Sequence, residues 1–159
     1  MQPNLIKLLD LVDRIFQTRN DPTQIGFSDQ DMAKMSRLHT ACLQEAENEE
    51  GPIAWVAVIP TSQSLMHEFI DKAISERELF DLTTPETPKQ VVYLCSAIVL
   101  PEFRASGVAM KLSLNAIHAM QQQWKISAAF VWPFSNDGEM LARSIARRCE
   151  FELFIRPHN

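Results

Sequence analysis

One segment of the chain combines residue types that could bind an anion. A strongly apolar run ends at Val99-Leu100-Pro101, and Arg104 and Gly107 follow within a few residues. If a helix begins here, the N–H groups of its first turn have no acceptor inside the helix and attract a phosphate. Gly107 and the small Ala109 let the backbone approach the phosphate, and Arg104 adds a fixed positive charge. The same residues also fit a plain connection between a strand and a helix, so the residues alone leave both interpretations open.

The apolar run before this segment contains the candidates for proton transfer and nucleophilic chemistry. Tyr93 is the only tyrosine and lies six residues before Val99. Its hydroxyl could move a proton or bind an acceptor, or it could simply find a partner within the core. Cys95 could be acylated, but no sequence neighbour would lower its pKa, so we expect a core thiol there.

Alternating strands and helices in the second half of the chain must position these residues. The pattern predicts a central strand over Val91–Leu100, apolar on both faces apart from Ser96, and a helix from Gly107 to Trp124. A strand over Ser127–Trp132, a helix over Asp137–Arg148 and a last strand over Phe151–Ile155 follow. This alternation predicts an α/β sheet with at least some parallel pairs. Ligands in such sheets bind beyond the carboxyl ends of the strands.

The first half of the chain is predicted to be mainly helical. Helical spacing of apolar residues covers residues 4–17, and a second stripe starts after the N-cap candidate Ser28 and continues to Leu43. The apolar run Ile53–Ile59 predicts a buried strand. Residues 62–80 predict one further helix, and the prolines and threonines of 81–90 predict a loop.

Length and charge limit the classes of function. The chain has 159 residues, which predicts a single domain over 1–159. The formal net charge is −5, so bulk electrostatic binding to nucleic acid or to an anionic membrane is not expected. Three widely spaced cysteines and the absence of zinc-ligand spacing predict reduced thiols and no metal site. We therefore expect a cytoplasmic protein with no membrane span, and a homodimer is left open.

The segment that follows the central strand resembles a known family. Its residues fit the pattern (Gln/Arg)-x-x-Gly-x-(Gly/Ala) of the GNAT superfamily of N-acetyltransferases, in the order Arg104, Ala105, Ser106, Gly107, Val108, Ala109. The preceding Val99–Phe103 resembles the family's strand end. Downstream, Asn136 resembles the polar residue that opens the next helix, and Phe151-Glu152-Leu153 resembles the closing strand. The resemblance covers roughly residues 91–156, which would form the acyl-CoA-binding part, with residues 1–50 as a helical N-terminal part.

The resemblance implies a fold, a co-substrate and a site. The fold would be a GNAT-like mixed central sheet flanked by helices on both faces. The backbone of 104–109 would bind the pyrophosphate of acetyl-CoA, with Asn136 nearby, and Ile98, Val99 and Leu100 would pair with the pantetheine arm. A backbone N–H would stabilise the developing oxyanion while an amine attacks the thioester directly. In this scheme Tyr93 would be the catalytic residue for proton transfer, and no metal is needed.

The sequence departs from the family pattern at three places. Ala146 stands where many members have a tyrosine that protonates the leaving thiolate, and Glu150 stands where a glycine is usual. The helix expected at 62–80 lies where the family commonly has hairpin strands. The resemblance predicts an N-acetyltransferase with an unidentified amine acceptor. The departures favour the alternative, a non-catalytic acyl-CoA-binding or protein-interaction domain with the same fold.

Overall fold

The computed structural model describes residues 2–18, 22–26 and 28–158, and the side chains of these residues except 15–18. The helices and strands follow one another along the chain in this order: α1 (Pro3–Thr18), α2 (Asp29–Leu38), β1 (Leu43–Asn48), β2 (Gly51–Thr61), α3 (Gln63–Ile70), α4 (Glu76–Leu82), β3 (Val91–Val99), a 3₁₀ turn (Pro101–Phe103), α5 (Val108–Gln121), β4 (Ala128–Val131), α6 (Asn136–Cys149) and β5 (Glu152–Ile155).

The five strands form one mixed sheet in the spatial order β1-β2-β3-β4-β5. The first three strands pair in antiparallel fashion, and β3, β4 and β5 pair in parallel. Parallel neighbours need a crossover connection, which α5 and α6 provide. The predicted α/β class with a mixed sheet is therefore confirmed.

Buried side chains line both faces of the central strands. Trp55 and Ile59 lie on the same face of β2, because side chains alternate along a strand. Trp55 packs against the α1 cluster that contains Leu8, and Tyr93, the register partner of Ile59, contacts Phe69 of α3. The residues between these on β2 point to the opposite face, and they are buried as well. Helix α5 packs across β1, β2 and β3. Helices therefore cover the sheet from both sides, as expected.

The second helix is shorter than its apolar stripe predicts. It ends at Leu38, where His39 is extended and its N–H donates to the carbonyl of Met35. The chain then forms strand β1 over Leu43–Asn48, within the part that was expected to be helical. The continuation of the stripe to Leu43 is wrong because the ladder to β2 satisfies the backbone of this polar segment.

The single helix expected over residues 62–80 is two helices. Ser62 caps α3 as predicted, by accepting from the N–H of Leu65. Between the helices Lys72 has a φ of 65°, which an α-helix does not contain. Ser75 and Glu78 then form a reciprocal capping box that starts α4. The break and the new cap together explain why one continuous helix is wrong.

The predicted elements of the second half agree with the structure to within three residues at each end. These are β3, α5, β4, α6 and β5, the part that carries the candidate site. No helix in the described part of the chain has the length and apolar character that crossing a membrane requires.

Candidate functional site

Strands β3 and β4 pair over only part of their length. Val91, Val92 and Tyr93 pair with Ala128, Ala129 and Phe130, and no later residue of β3 pairs with β4. Strand β3 nevertheless continues to Val99 along its other neighbour, β2. Strand β4 extends only one residue further, to Val131, so a gap opens in the sheet on this side of β3.

This gap forms a cavity of about 510 Å³. Its walls come from β2, from the unpaired half of β3, from the end of β4 and the turn after it, and from α1, α5 and α6. The described residues that line it are Arg14, Val56, Ala57, Val58, Leu94, Cys95, Ser96, Ala97, Ile98, Ser113, Val131, Trp132, Pro133, Phe134, Ser135, Gly138, Leu141, Ala142 and Ile145. Most of these side chains are apolar, which is typical of small-molecule sites.

A bulge in β3 changes the strand within the cavity wall. Ala57 faces Ser96 and Val58 faces Leu94, so Cys95 is an extra residue on β3. Cys95 is half-buried and lines the cavity, which corrects the expectation of a core thiol. Cys42 is the core thiol, and burial raises its pKa to about 12.

The loop between β3 and α5 adopts two left-handed backbone conformations. Ala105 has a φ of 64° and Gly107, the N-cap of α5, has a φ of 85°. The first bond at the start of the helix runs from the N–H of Lys111 to the carbonyl of Gly107. The N–H groups of Val108, Ala109 and Met110 precede that bond, so they have no acceptor inside the helix. The exposed loop therefore presents a row of backbone donors, as the sequence predicts.

Hydrogen bonds in and next to the loop occupy some of the backbone groups that could otherwise bind a ligand. Arg104 is exposed, and one of its five N–H groups donates to the carbonyl of Val99 at 3.2 Å. Ser106 donates through its hydroxyl to the carbonyl of Phe103. The N–H of Leu100 donates to the carbonyl of Ile53, and its own carbonyl accepts from Phe103. The N–H of Leu100 is thus already engaged with β2, and the pantetheine contact predicted for this residue stays a prediction.

The loop and the cavity are close neighbours. Ile98, six residues before Arg104, lines the cavity, and so does Ser113 in the second turn of α5. Ser113 is five positions after Val108, which is about 7–8 Å along the helix axis. Of the binding residues predicted from sequence, Ile98 lies in the cavity wall. Val99 and the residues of 104–109 lie next to the cavity without lining it.

Tyr93 lies at the other end of β3, in the core. It is 1% exposed, and its hydroxyl donates to Oε2 of Glu76 at 2.5 Å. Its ring stacks on Phe130. Tyr93 is not among the cavity residues, so its position fits the packing interpretation better, and its catalytic role stays a prediction.

Helix α6 supplies one wall of the cavity through its first three turns. Asn136 opens this helix as predicted, but it is exposed, and its neighbour Ser135 is the N-cap and lines the cavity. Ala146 is buried on the same helix and does not line the cavity. Ala142 and Ile145 do.

Sequence reasoning missed two groups of residues. The first is the middle of β3 from Leu94 to Ala97, whose role depends on where β4 stops pairing, and no local signal reports that point. The second is Glu76, the partner of Tyr93, which is 17 residues away along the chain. The sequence Ser75-Glu76-Arg77-Glu78 is a capping-box signal, and it would have placed Glu76 at a helix start.

Among the described residues, no three His, Cys, Asp or Glu side chains lie together as a metal site would need. The chain matches no family model, no curated protein and no solved structure.

Proposed function

We propose that the protein is an acyl-CoA-dependent N-acyltransferase of the GNAT type. The observation that carries the proposal is the gap in the sheet beside the unpaired part of β3, next to a helix that opens with a left-handed glycine. Acetyl-CoA is the simplest donor, and an amine of unidentified structure is the acceptor.

The loop supports the phosphate half of this proposal. The N–H groups of Val108, Ala109 and Met110 point out of the first turn of a 14-residue helix, where the helix dipole favours an anion. A Cβ added to Gly107 would meet no atom within 4 Å, so the space beside it is open. The backbone can therefore approach a pyrophosphate there, with the guanidinium of Arg104 nearby.

The unpaired part of β3 supports the pantetheine half of the proposal. From Ser96 to Ile98, β3 has β2 on one side and no strand on the side of β4. Every second residue of this stretch points its N–H and C=O toward the gap. An extended chain with two amides, such as pantetheine, can bind to such an edge as an added strand does.

The proposed reaction needs an amine and an oxyanion donor. The amine nitrogen forms a bond to the thioester carbonyl carbon while a β3 backbone N–H stabilises the oxyanion. The carbon–sulfur bond then breaks, its electron pair stays on sulfur, and the proton lost by nitrogen goes to the thiolate or to solvent.

One observation favours a second candidate, a non-catalytic acyl-CoA-binding domain. The described residues that line the cavity include no carboxylate, imidazole or phenol, although acid–base groups commonly accelerate such steps. Release of free coenzyme A from acetyl-CoA in the presence of a panel of amines separates the two candidates. Amine-dependent release supports the transferase, and tight binding without release supports the binding domain.

Two substitutions of Gly107, with side chains of the same shape, test the role of the loop. Asn and Asp both tolerate a left-handed backbone, so Gly107→Asn and Gly107→Asp should fold with similar stability. The carboxylate of Gly107→Asp repels a pyrophosphate, and we expect it to weaken acetyl-CoA binding at least about tenfold more than Gly107→Asn does, about 1.4 kcal/mol. Calorimetric titration measures both affinities. Equal affinities would mean that the loop is only a connection.

A further inference from the structure

The inner end of the cavity lies where β3 and β4 separate. Tyr93 and Phe130 form the last pair of the two strands. The next residue on each strand, Leu94 and Val131, lines the cavity. Val58, the register partner of Leu94, lines it as well. The narrow end of the gap is therefore walled by branched aliphatic side chains.

The two ends of the gap differ in chemistry. At the outer end lie Arg104 and the free N–H groups of α5, beyond Val99. The inner end, at Leu94, lies five residues back from Val99 along β3. Because Cys95 is an extra residue, this is four positions of the ladder to β2, about 13 Å at about 3.3 Å per position. A coenzyme whose pyrophosphate binds at the loop and whose arm follows β3 therefore points its thioester toward Leu94.

The inner end of the cavity has more apolar surface than an acetyl group can cover. Besides Leu94 and Val131, the buried Ala142 and Ile145 of α6 line the cavity. An acetyl group adds a single methyl to the carbonyl, and burial of apolar surface is what favours longer chains.

We propose that the acyl group carried by the coenzyme is an aliphatic chain longer than acetyl, bound against Leu94, Val131 and Ile145 at the inner end of the cavity. This inference rests on the proposed function, because it takes the coenzyme to enter from the loop. It replaces acetyl, the simplest donor, with a longer aliphatic chain whose added methylenes cover this apolar wall.

Calorimetric titration with coenzyme A and its acetyl, butyryl, hexanoyl and octanoyl thioesters tests the inference. A fully buried methylene improves affinity about fourfold. We expect the dissociation constant to fall at least about fourfold from acetyl to butyryl and again from butyryl to hexanoyl, since burial of each methylene is partial.

A matched pair of variants tests where the acyl chain binds. Leu94→Phe fills the inner end, and Leu114→Phe makes the same change at a half-buried position of α5 outside the cavity. Leu94→Phe should abolish the gain in affinity from acetyl to hexanoyl, while Leu114→Phe should keep that gain. Val131→Ile, which adds one methylene at the same end, replaces Leu94→Phe if that variant does not fold.

The outcomes distinguish this inference from the proposed function. If acetyl-CoA binds as tightly as hexanoyl-CoA, or if the gain survives Leu94→Phe in a folded protein, the long-chain inference is overturned and coenzyme binding stands. If neither coenzyme A nor any thioester binds, the proposed function falls and the inference falls with it.

Discussion

At the scale of single residues, the left-handed backbone of Gly107 decides which substitutions can test the loop. From the sequence, a glutamate at this position is expected to cost little stability, provided that Gly107 has a negative φ. The φ of Gly107 is 85°, so that condition does not hold, and a residue with a Cβ is expected to lose about 1–2 kcal/mol in the left-handed region. Loss of coenzyme binding in Gly107→Glu would therefore be mixed with loss of fold, which is why Asn and Asp are the better pair.

Tyr93 is the residue whose structural and catalytic roles can be separated by measurement. Its hydroxyl donates to a carboxylate that is 6% exposed, and hydrogen bonds to charged groups contribute about 1.5–3 kcal/mol. Tyr93→Phe should lower the free energy of unfolding by about 2 kcal/mol and leave coenzyme affinity unchanged. Urea denaturation at pH 7 and calorimetric titration measure the two quantities.

The control for this prediction is Glu76→Gln. If Tyr93 stabilises the protein through the Glu76 carboxylate, Tyr93→Phe should cost less in the Glu76→Gln background than in the parent. A turnover rate that falls in Tyr93→Phe, with the protein fully folded, would instead favour the proton-transfer role predicted from the sequence.

At the scale of elements, α4 holds the connection between α1 and α2 in place. Oε1 of Glu76 accepts from the N–H of Ile25 at 2.7 Å, and the N–H of Arg77 donates to the carbonyl of Thr23 at 2.7 Å. The guanidinium of Arg77 also forms two hydrogen bonds with the carboxylate of Asp31 in α2, at 2.9 and 2.8 Å. Three separate contacts therefore join elements that are about 50 residues apart along the chain.

The Asp31–Arg77 pair should make stability depend on pH in the acid range. The hydrogen bonds and charge of Arg77 lower the pKa of Asp31 below its ordinary value of 3.8. The stabilisation is therefore fully present above the unfolded-state pKa of about 3.9 and is lost as the pH falls through the lower folded-state pKa. Asp31→Asn should cost about 2 kcal/mol at pH 7, and this difference from the parent should shrink below about pH 4.

Urea denaturation between pH 3 and pH 8 checks this profile. Asp10→Asn is the control, because Asp10 pairs with Arg14 on the exposed surface of α1, where such pairs contribute about 0.3–0.5 kcal/mol. A difference between Asp31→Asn and the parent that stays constant down to pH 3 would contradict the predicted role of the ionised carboxylate.

The elements that the sequence predicts well are those whose pattern is local and complete. Strand β3 and the helix after it stand out because an apolar run ends at Pro101 and Gly107 opens the next element. Strand β1 has the sequence Leu-Gln-Glu-Ala-Glu-Asn, which has little β-propensity, and its strand form comes from the ladder to β2. The cavity depends on the residue at which β3 and β4 stop pairing, which only the packed sheet determines.

At the scale of the whole molecule, the gap in the sheet and the N-terminus of α5 can bind the same ligand only if that ligand contacts both of them. Helix α5 packs across β1, β2 and β3, so the loop and the wall of the gap are held by the same helix. A ligand that bound only at the loop, or only in the gap, would make only part of these contacts. A ligand that spans both ends should therefore be favoured over one that carries the same phosphates without the arm.

Coenzyme A and NAD provide that comparison, because both contain an adenosine pyrophosphate and only coenzyme A has a pantetheine arm. A ligand present at a hundred times its dissociation constant stabilises the folded state by about 2.7 kcal/mol. For a domain of this length that corresponds to a rise in Tm of about 5–11 °C. We expect this rise with coenzyme A, and about 1 °C or less with NAD at the same concentration. Equal rises with the two ligands would show that the loop binds phosphates while the gap between β3 and β4 contributes nothing. No rise with millimolar coenzyme A would remove the coenzyme from the proposed function altogether.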